Sequence, residues 1–72
     1  MSKLIEILNP HQFAEYLKNN YKFFAVYEDN KYIGTAKYIF GYFAYVEELG
    51  EKRRITDFYS TSNGGCLLYV KS

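Results

Sequence analysis

The chain has 72 residues, a formal net charge of +1 and a single cysteine. This length allows one domain, near the small end of those that fold alone, and we expect it to span residues 1–72. One cysteine cannot form an internal disulfide, and one cysteine with one histidine cannot supply a closed zinc site. We therefore expect no disulfide, no metal and no cofactor. The small net charge also excludes a strong overall field that would attract nucleic acid or an anionic membrane.

The N-terminal segment is short and apolar, and we expect residues 3–8 to form a strand. It is interrupted by Glu6 and Pro10 too early for a signal peptide. No apolar run approaches the roughly 20 residues of a membrane span. The chain begins with Met and has no linker-like tail, so we expect a complete small cytoplasmic protein without membrane association.

A helix is predicted over about residues 10–19. Asn9 is a favourable N-cap, Pro10 suits the first helical position, and Gln12 stands where a capping box places its second partner. An apolar stripe follows at i, i+3 and i+4, formed by Phe13, Tyr16 and Leu17.

The remainder of the chain favours strands, because it is rich in aromatic and β-branched residues separated by turn dipeptides. A two-residue hairpin turn at Asp29-Asn30 would pair Tyr27 with Tyr32 and Val26 with Ile33. One sheet face would then hold tyrosines and small residues, and the other would hold the aliphatic side chains. The first face comprises Tyr21, Phe23, Ala25, Tyr27, Tyr32, Gly34, Ala36 and Tyr38.

A second hairpin is predicted around Ser62-Asn63-Gly64-Gly65, between strands at residues 53–60 and 66–71. The fold class expected is α+β: a short N-terminal strand, one helix, then a curved antiparallel sheet of four to five strands. We expect the helix to pack on the aliphatic face of this sheet.

One alternative places a helix at residues 36–49, because Ile39, Tyr42, Val46 and Leu49 follow a 3-4-3 spacing. Gly41 would then lie inside the helix, and aromatic and β-branched residues lose rotamer freedom there, so strands are favoured.

Catalytic chemistry has few candidate residues in this chain. Cys66 begins an apolar strand, where a thiol is usually a small buried hydrophobe, and His11 would lie in the first helical turn. Acidic residues cluster mainly in a turn at Glu47, Glu48 and Glu51. We therefore expect a protein that is not an enzyme.

Aromatic residues are the main functional signal, with nine tyrosines and six phenylalanines. A small chain without covalent or metal cross-links must bury most of these rings in its core or in an interface, so we expect a homodimer. Tyrosine is also a favoured interface anchor. The sequence therefore predicts a protein-binding module, with partner-binding residues Tyr27, Tyr32, Tyr38 and Tyr42. A coding bias towards Lys, Asn, Tyr, Ile and Phe suits a phage or mobile-element protein that inhibits or regulates a host protein.

The alternative function is single-stranded nucleic-acid binding through Lys52, Arg53, Arg54 and Tyr59, because basic residues interleaved with rings suit such a groove. Glu47, Glu48 and Glu51 precede this basic run and reduce its positive electrostatic field.

Residues 41–47 partly resemble the RNP1 segment of RNA recognition motifs. Phe43 is an extra residue in that pattern and would place Tyr42 and Tyr45 on opposite faces of a regular strand. We therefore do not assign the chain to that family.

Overall fold

A five-stranded barrel forms most of the structure, a computed structural model that describes residues 3–71. Two helices precede it. The elements in chain order are α1 (Lys3–Ile7), α2 (Pro10–Asn20), β1 (Phe24–Glu28), β2 (Lys31–Phe40), β3 (Phe43–Val46), β4 (Glu51–Ser60) and β5 (Cys66–Lys71). Each strand pairs antiparallel with the next one along the chain. Because five consecutive strands reverse direction four times, β1 and β5 run the same way and close the barrel as a parallel pair.

The expected fold class was therefore wrong in two respects. The sheet does not stay open and curved, because it closes through β1 and β5. The N-terminal segment is a helix and not a strand, so the described residues form two helices. Residues 1, 2 and 72 of the expected domain lie outside the described residues.

Closure depends on irregularities that bend the strands. The register shifts between Val26 and Tyr27, between Ala36 and Tyr38, and between Ile55 and Asp57. Such bulges increase local twist and bend a strand, which allows a sheet to curl upon itself. Small side chains then fit inside a barrel of this diameter, and Ala36 and Ala44 are both buried.

The bulge between Val26 and Tyr27 changes which residues lie on each face of the sheet, compared with the prediction from the sequence. The turn at Asp29 and Asn30 forms as expected, with positive φ at both residues, and Tyr27 faces Tyr32. Val26, however, pairs with Gly34, because Ile33 is the extra residue of the bulge. Gly34 and Ala36 consequently turn into the barrel, while the tyrosines stay outside.

Helix α2 forms as the sequence predicts. The Asn9 side chain accepts a hydrogen bond from the Gln12 backbone N–H at 2.8 Å, and the Gln12 side chain accepts one from the Asn9 N–H at 3.2 Å. Phe13, Ala14 and Leu17 are buried against the barrel interior.

Ile5 on helix α1 and Leu8 just after it both pack against the core, while Ile7 stays 72% exposed. The Leu8 carbonyl, just beyond the helix, accepts a hydrogen bond from the Tyr42 hydroxyl at 2.6 Å. This bond ties the N-terminal helices to the barrel.

The helices cover one end of the barrel. At that end β1 and β5 begin and β2 and β4 end, and the Phe13 ring lies 5.6 Å from the rings of Phe58 and Tyr42.

The alternative prediction, a helix over residues 36–49, is wrong. Gly41, with φ +58°, instead makes a tight turn with Tyr42 between β2 and β3.

Candidate functional site

The outward-facing rings of the barrel fall into two groups. The β2–β3 aromatic patch consists of Tyr38, Phe40, Phe43 and Tyr45. The tyrosine cleft consists of Tyr27, Tyr32, Tyr59 and Tyr69 with Asp57. Tyr32 and Tyr38 are both on β2, but roughly 20 Å of strand separates them, so the two groups are distinct surfaces.

The β2–β3 aromatic patch is built by cross-strand pairing across the tight turn at Gly41. Tyr38 lies opposite Tyr45, and Phe40 lies opposite Phe43. The Tyr38 and Tyr45 rings are stacked, with centroids 4.9 Å apart and an interplanar angle of 8°. Tyr38 and Phe40 remain 49% and 44% exposed. The patch therefore offers large apolar area from side chains that support one another.

Basic side chains line the β4 side of this patch. Lys52 is opposite Tyr45 in the sheet, and its Nζ lies 4.7 Å from the Phe43 ring centroid and 5.6 Å from that of Phe40. Arg54 is opposite Phe43, and its guanidinium lies 5.8 Å from the Tyr42 ring. Cation–π contact of this kind holds a positive charge beside exposed rings.

Arg53 does not belong to the patch, because alternate residues of a strand point to opposite sides. Its Nε donates to Glu28 Oε1 at 3.1 Å, and its guanidinium also pairs with Glu51. These hydrogen bonds, to Glu51 first and then to Glu28, raise the pKa of Arg53. The network lies at the barrel end away from the helices, where β1 ends and β4 begins.

The tyrosine cleft crosses four strands around the barrel closure. The Tyr27 ring lies 5.7 Å from Tyr32 on β2 and 5.8 Å from Tyr69 on β5. Tyr69 in turn lies 5.4 Å from Tyr59 on β4, with the two ring planes nearly perpendicular at 87°. These two rings form the walls of a corner.

An open cavity of about 580 Å³ occupies this corner. Its lining consists of Asn30, Thr56, Asp57, Tyr59, Leu67 and Tyr69.

The cavity has one acidic group, the Asp57 carboxylate. Asp57 Oδ1 accepts from the Phe58 N–H at 2.8 Å, and Oδ2 accepts from the Tyr59 hydroxyl at 2.9 Å. The hydrogen bond to this carboxylate raises the pKa of the Tyr59 phenol. The cleft thus combines two aromatic walls with a fixed negative charge.

The four tyrosines predicted as partner anchors do not share one surface. Tyr27 and Tyr32 lie in the tyrosine cleft, and Tyr38 lies in the β2–β3 aromatic patch. Tyr42 faces the helices, since its hydroxyl binds the Leu8 carbonyl.

The predicted basic site is divided in the same way. Lys52 and Arg54 border the patch, Arg53 is engaged at the far end of the barrel, and Tyr59 belongs to the cleft.

Several residues of the two surfaces were not predicted from the sequence: Phe40, Phe43, Tyr45, Asp57 and Tyr69. The alternation of β5, in which buried Cys66, Leu68 and Val70 flank Leu67 and Tyr69, contained the signal for an outward Tyr69.

Cys66 and His11, the candidate catalytic residues, differ in exposure. Cys66 is fully buried, and burial raises the pKa of its thiol to about 12. His11 is exposed on α2. Among residues 3–71, no group of three or more His, Cys, Asp or Glu side chains is arranged so that it could hold a metal ion.

Neither described helix is long and apolar enough to cross a membrane.

Comparison of the chain with protein-family models, with curated proteins and with solved structures finds no match.

Proposed function

We propose that this chain is a small non-enzymatic module that binds another protein through the β2–β3 aromatic patch. The supporting observation is the exposure of Tyr38 and Phe40, at 49% and 44%, beside the stacked Tyr45. Contiguous exposed apolar surface is typical of protein-interaction sites. Rings already held by their neighbours lose little conformational entropy on binding, which favours affinity.

The rim of the patch indicates the chemistry of the partner. Lys52 and Arg54 add positive charge at one side of the rings. A partner surface that combines apolar residues with carboxylates would complement both features. A second copy of this chain, docked symmetrically on the same patch, would instead bring like charges together. The patch therefore fits a different protein better than itself.

The experiment is affinity capture with a double variant, Tyr38→Ala with Phe40→Ala. Both side chains lie outside the barrel, so the variant should fold and lose the partner. Ile7→Ala is the control, because Ile7 is also an exposed apolar side chain, at 72%, and it lies on α1 outside the strands that form the patch. Stoichiometric recovery with the control and loss with the patch variant support the proposal. Equal recovery with both variants rejects it.

Homodimer formation, cytoplasmic location and an origin in a phage or mobile element remain proposals that rest on the sequence. We propose that the partner is a host protein that this chain inhibits or regulates. Sedimentation velocity over a range of protein concentrations tests the dimer directly. A monomer at the highest concentration would remove the second copy from consideration.

The second candidate function is single-stranded nucleic-acid binding on the same patch. Its specific support is the position of Lys52 over the Phe40 and Phe43 rings, where a base stacked on Phe40 would bring its phosphate near the ammonium group. Fluorescence anisotropy with a labelled single-stranded oligonucleotide tests it. Binding should weaken steeply with salt, and Lys52→Ala should lower the salt slope by about 1. Absence of binding at low salt eliminates this candidate.

A further inference from the structure

We propose that the tyrosine cleft binds the ammonium group of a lysine side chain from a partner protein, with Asp57 as the charge partner and Tyr59 and Tyr69 as the aromatic walls. This site is separate from the β2–β3 aromatic patch and does not rest on the function proposed for that patch.

The geometry of the rings is the first argument. Tyr59 and Tyr69 stand nearly perpendicular with centroids 5.4 Å apart. A cation in the corner can approach the negative face of one ring while it contacts the other. Leu67 lines the floor of the same cavity and offers apolar contact to a methylene chain. A lysine side chain has such a chain below its charged end.

The charge in the cleft is the second argument. Within the part of the chain that the structure describes, no Lys or Arg nitrogen lies within 4.0 Å of the Asp57 carboxylate. Each Asp57 oxygen accepts one protein hydrogen bond and keeps further lone-pair capacity. Among the side chains of residues 5–71, the cation–π contacts involve Lys52 and Arg54, and neither cleft ring has a cation from these residues.

The acceptors favour a primary ammonium over a quaternary one. An ammonium group has three N–H donors, and the cavity is lined by Asp57 and Asn30, whose side chains both carry oxygen acceptors. A trimethylated nitrogen contacts rings but cannot donate to these oxygens. The cavity also opens to solvent on the barrel wall, so a side chain can enter it without any movement of the strands.

The test is a titration followed by NMR of the ¹⁵N-labelled protein. The probes are three short peptides of identical sequence that contain one lysine, one acetyl-lysine or one trimethyl-lysine. We expect saturable shift changes at residues 56–59 and 67–69 with the lysine peptide. The acetylated peptide should show none, and the trimethylated peptide should bind more weakly.

Variants connect the binding to the named groups. Asp57→Asn keeps an oxygen that can accept from the Phe58 N–H, and it should weaken lysine binding roughly 2- to 5-fold. Tyr69→Leu removes one aromatic wall and should weaken binding by a similar factor, roughly 2- to 5-fold. Tyr59→Phe keeps its ring and frees one Asp57 oxygen, so binding should be unchanged or tighter. Ile7→Ala, at an exposed apolar side chain on α1 that belongs to neither surface, is the control.

The proposal would be overturned if the lysine peptide gave no saturable shifts, or if the acetylated peptide bound equally well. It would also be overturned if Asp57→Asn and Tyr69→Leu kept the folded spectrum and bound the lysine peptide as well as the control variant does. Preference for the trimethylated peptide would show a quaternary-ammonium site and would refute the choice of lysine.

Discussion

Substitution of Gly34 by alanine tests the inward orientation that the β2 bulge produces. Gly34 is buried and has φ +147°, a conformation that L-residues rarely adopt. A Cβ at this position would lie 2.9 Å from Cγ1 of Val46, and it would also meet the Glu48 carboxylate. Glu48 is exposed, but its Oε1 accepts a hydrogen bond from the Thr35 N–H at 2.7 Å, so displacing it would break that bond; Val46 is fully buried.

The expected cost has two parts. Backbone strain at positive φ costs about 1–3 kcal/mol, and forcing an extra carbon into a packed core costs about 1–3 kcal/mol more. The whole domain has a free energy of unfolding of about 4–10 kcal/mol by its length. Gly34→Ala should therefore remove a large part of the stability.

Gly50→Ala is the matched control, because Gly50 has φ +67° but its nearest contact for a Cβ is the Tyr45 hydroxyl at 3.9 Å. It should show no overlap and a smaller backbone strain, because φ near +60° is the left-handed region, which L-residues enter at a cost of about 1–2 kcal/mol. Urea denaturation followed by circular dichroism measures both variants, with equal m-values required for the comparison. Gly34→Ala should be less stable than Gly50→Ala by about 1–3 kcal/mol. Equal losses would refute the reasoning, since Gly34 would then not face the interior.

Three further predictions concern the helix cap, the half-buried Tyr42 hydroxyl and the Cys66 thiol. Asn9→Ala removes the helix N-cap and should cost about 1 kcal/mol in urea denaturation, and no change would contradict the capping box. Tyr42→Phe removes the hydrogen bond to the Leu8 carbonyl and should cost about 1 kcal/mol, whereas Tyr38→Phe at an exposed ring should cost nothing measurable. The pKa of the Cys66 thiol rises from 9.0 in the unfolded chain to about 12 in the fold. Above pH 9.0 the unfolded thiol ionises first, so wild type should lose about 1.4 kcal/mol per pH unit relative to Cys66→Ala, up to about pH 12. A constant difference between the two proteins over that range would contradict the buried, neutral thiol.

Local features of the fold could be predicted because their signals lie within a few residues. The capping pattern at Asn9 gave the position of α2, and the turn at Asp29-Asn30 gave the pairing of Tyr27 with Tyr32. Residues 3–7 could not be assigned, since a short apolar run fits either a strand or a buried helix.

Barrel closure could not be predicted, because no turn joins β1 to β5 and their pairing is a contact between distant parts of the sequence. The candidate site was affected in the same way. Tyr27 and Tyr32 were recognised together from one hairpin, but Tyr69 reaches them only through closure. The bulge at Ile33 changes which residues face inward, and the adjacent Gly34 was a local sign of it that the pairing prediction did not use, since a glycine inside a strand often marks a bulge.

The parallel pairing of β1 with β5 has a consequence for how this protein folds. Every other strand pair is a neighbour along the chain, whereas Phe24 meets Cys66 across more than half of the sequence. Closing so long a loop costs chain entropy before the contacts form, so this pairing should be the slow step. Until it forms, both strands present unpaired edges that can pair with another molecule. Refolding at high protein concentration should therefore produce strand-exchanged oligomers that dilute refolding avoids.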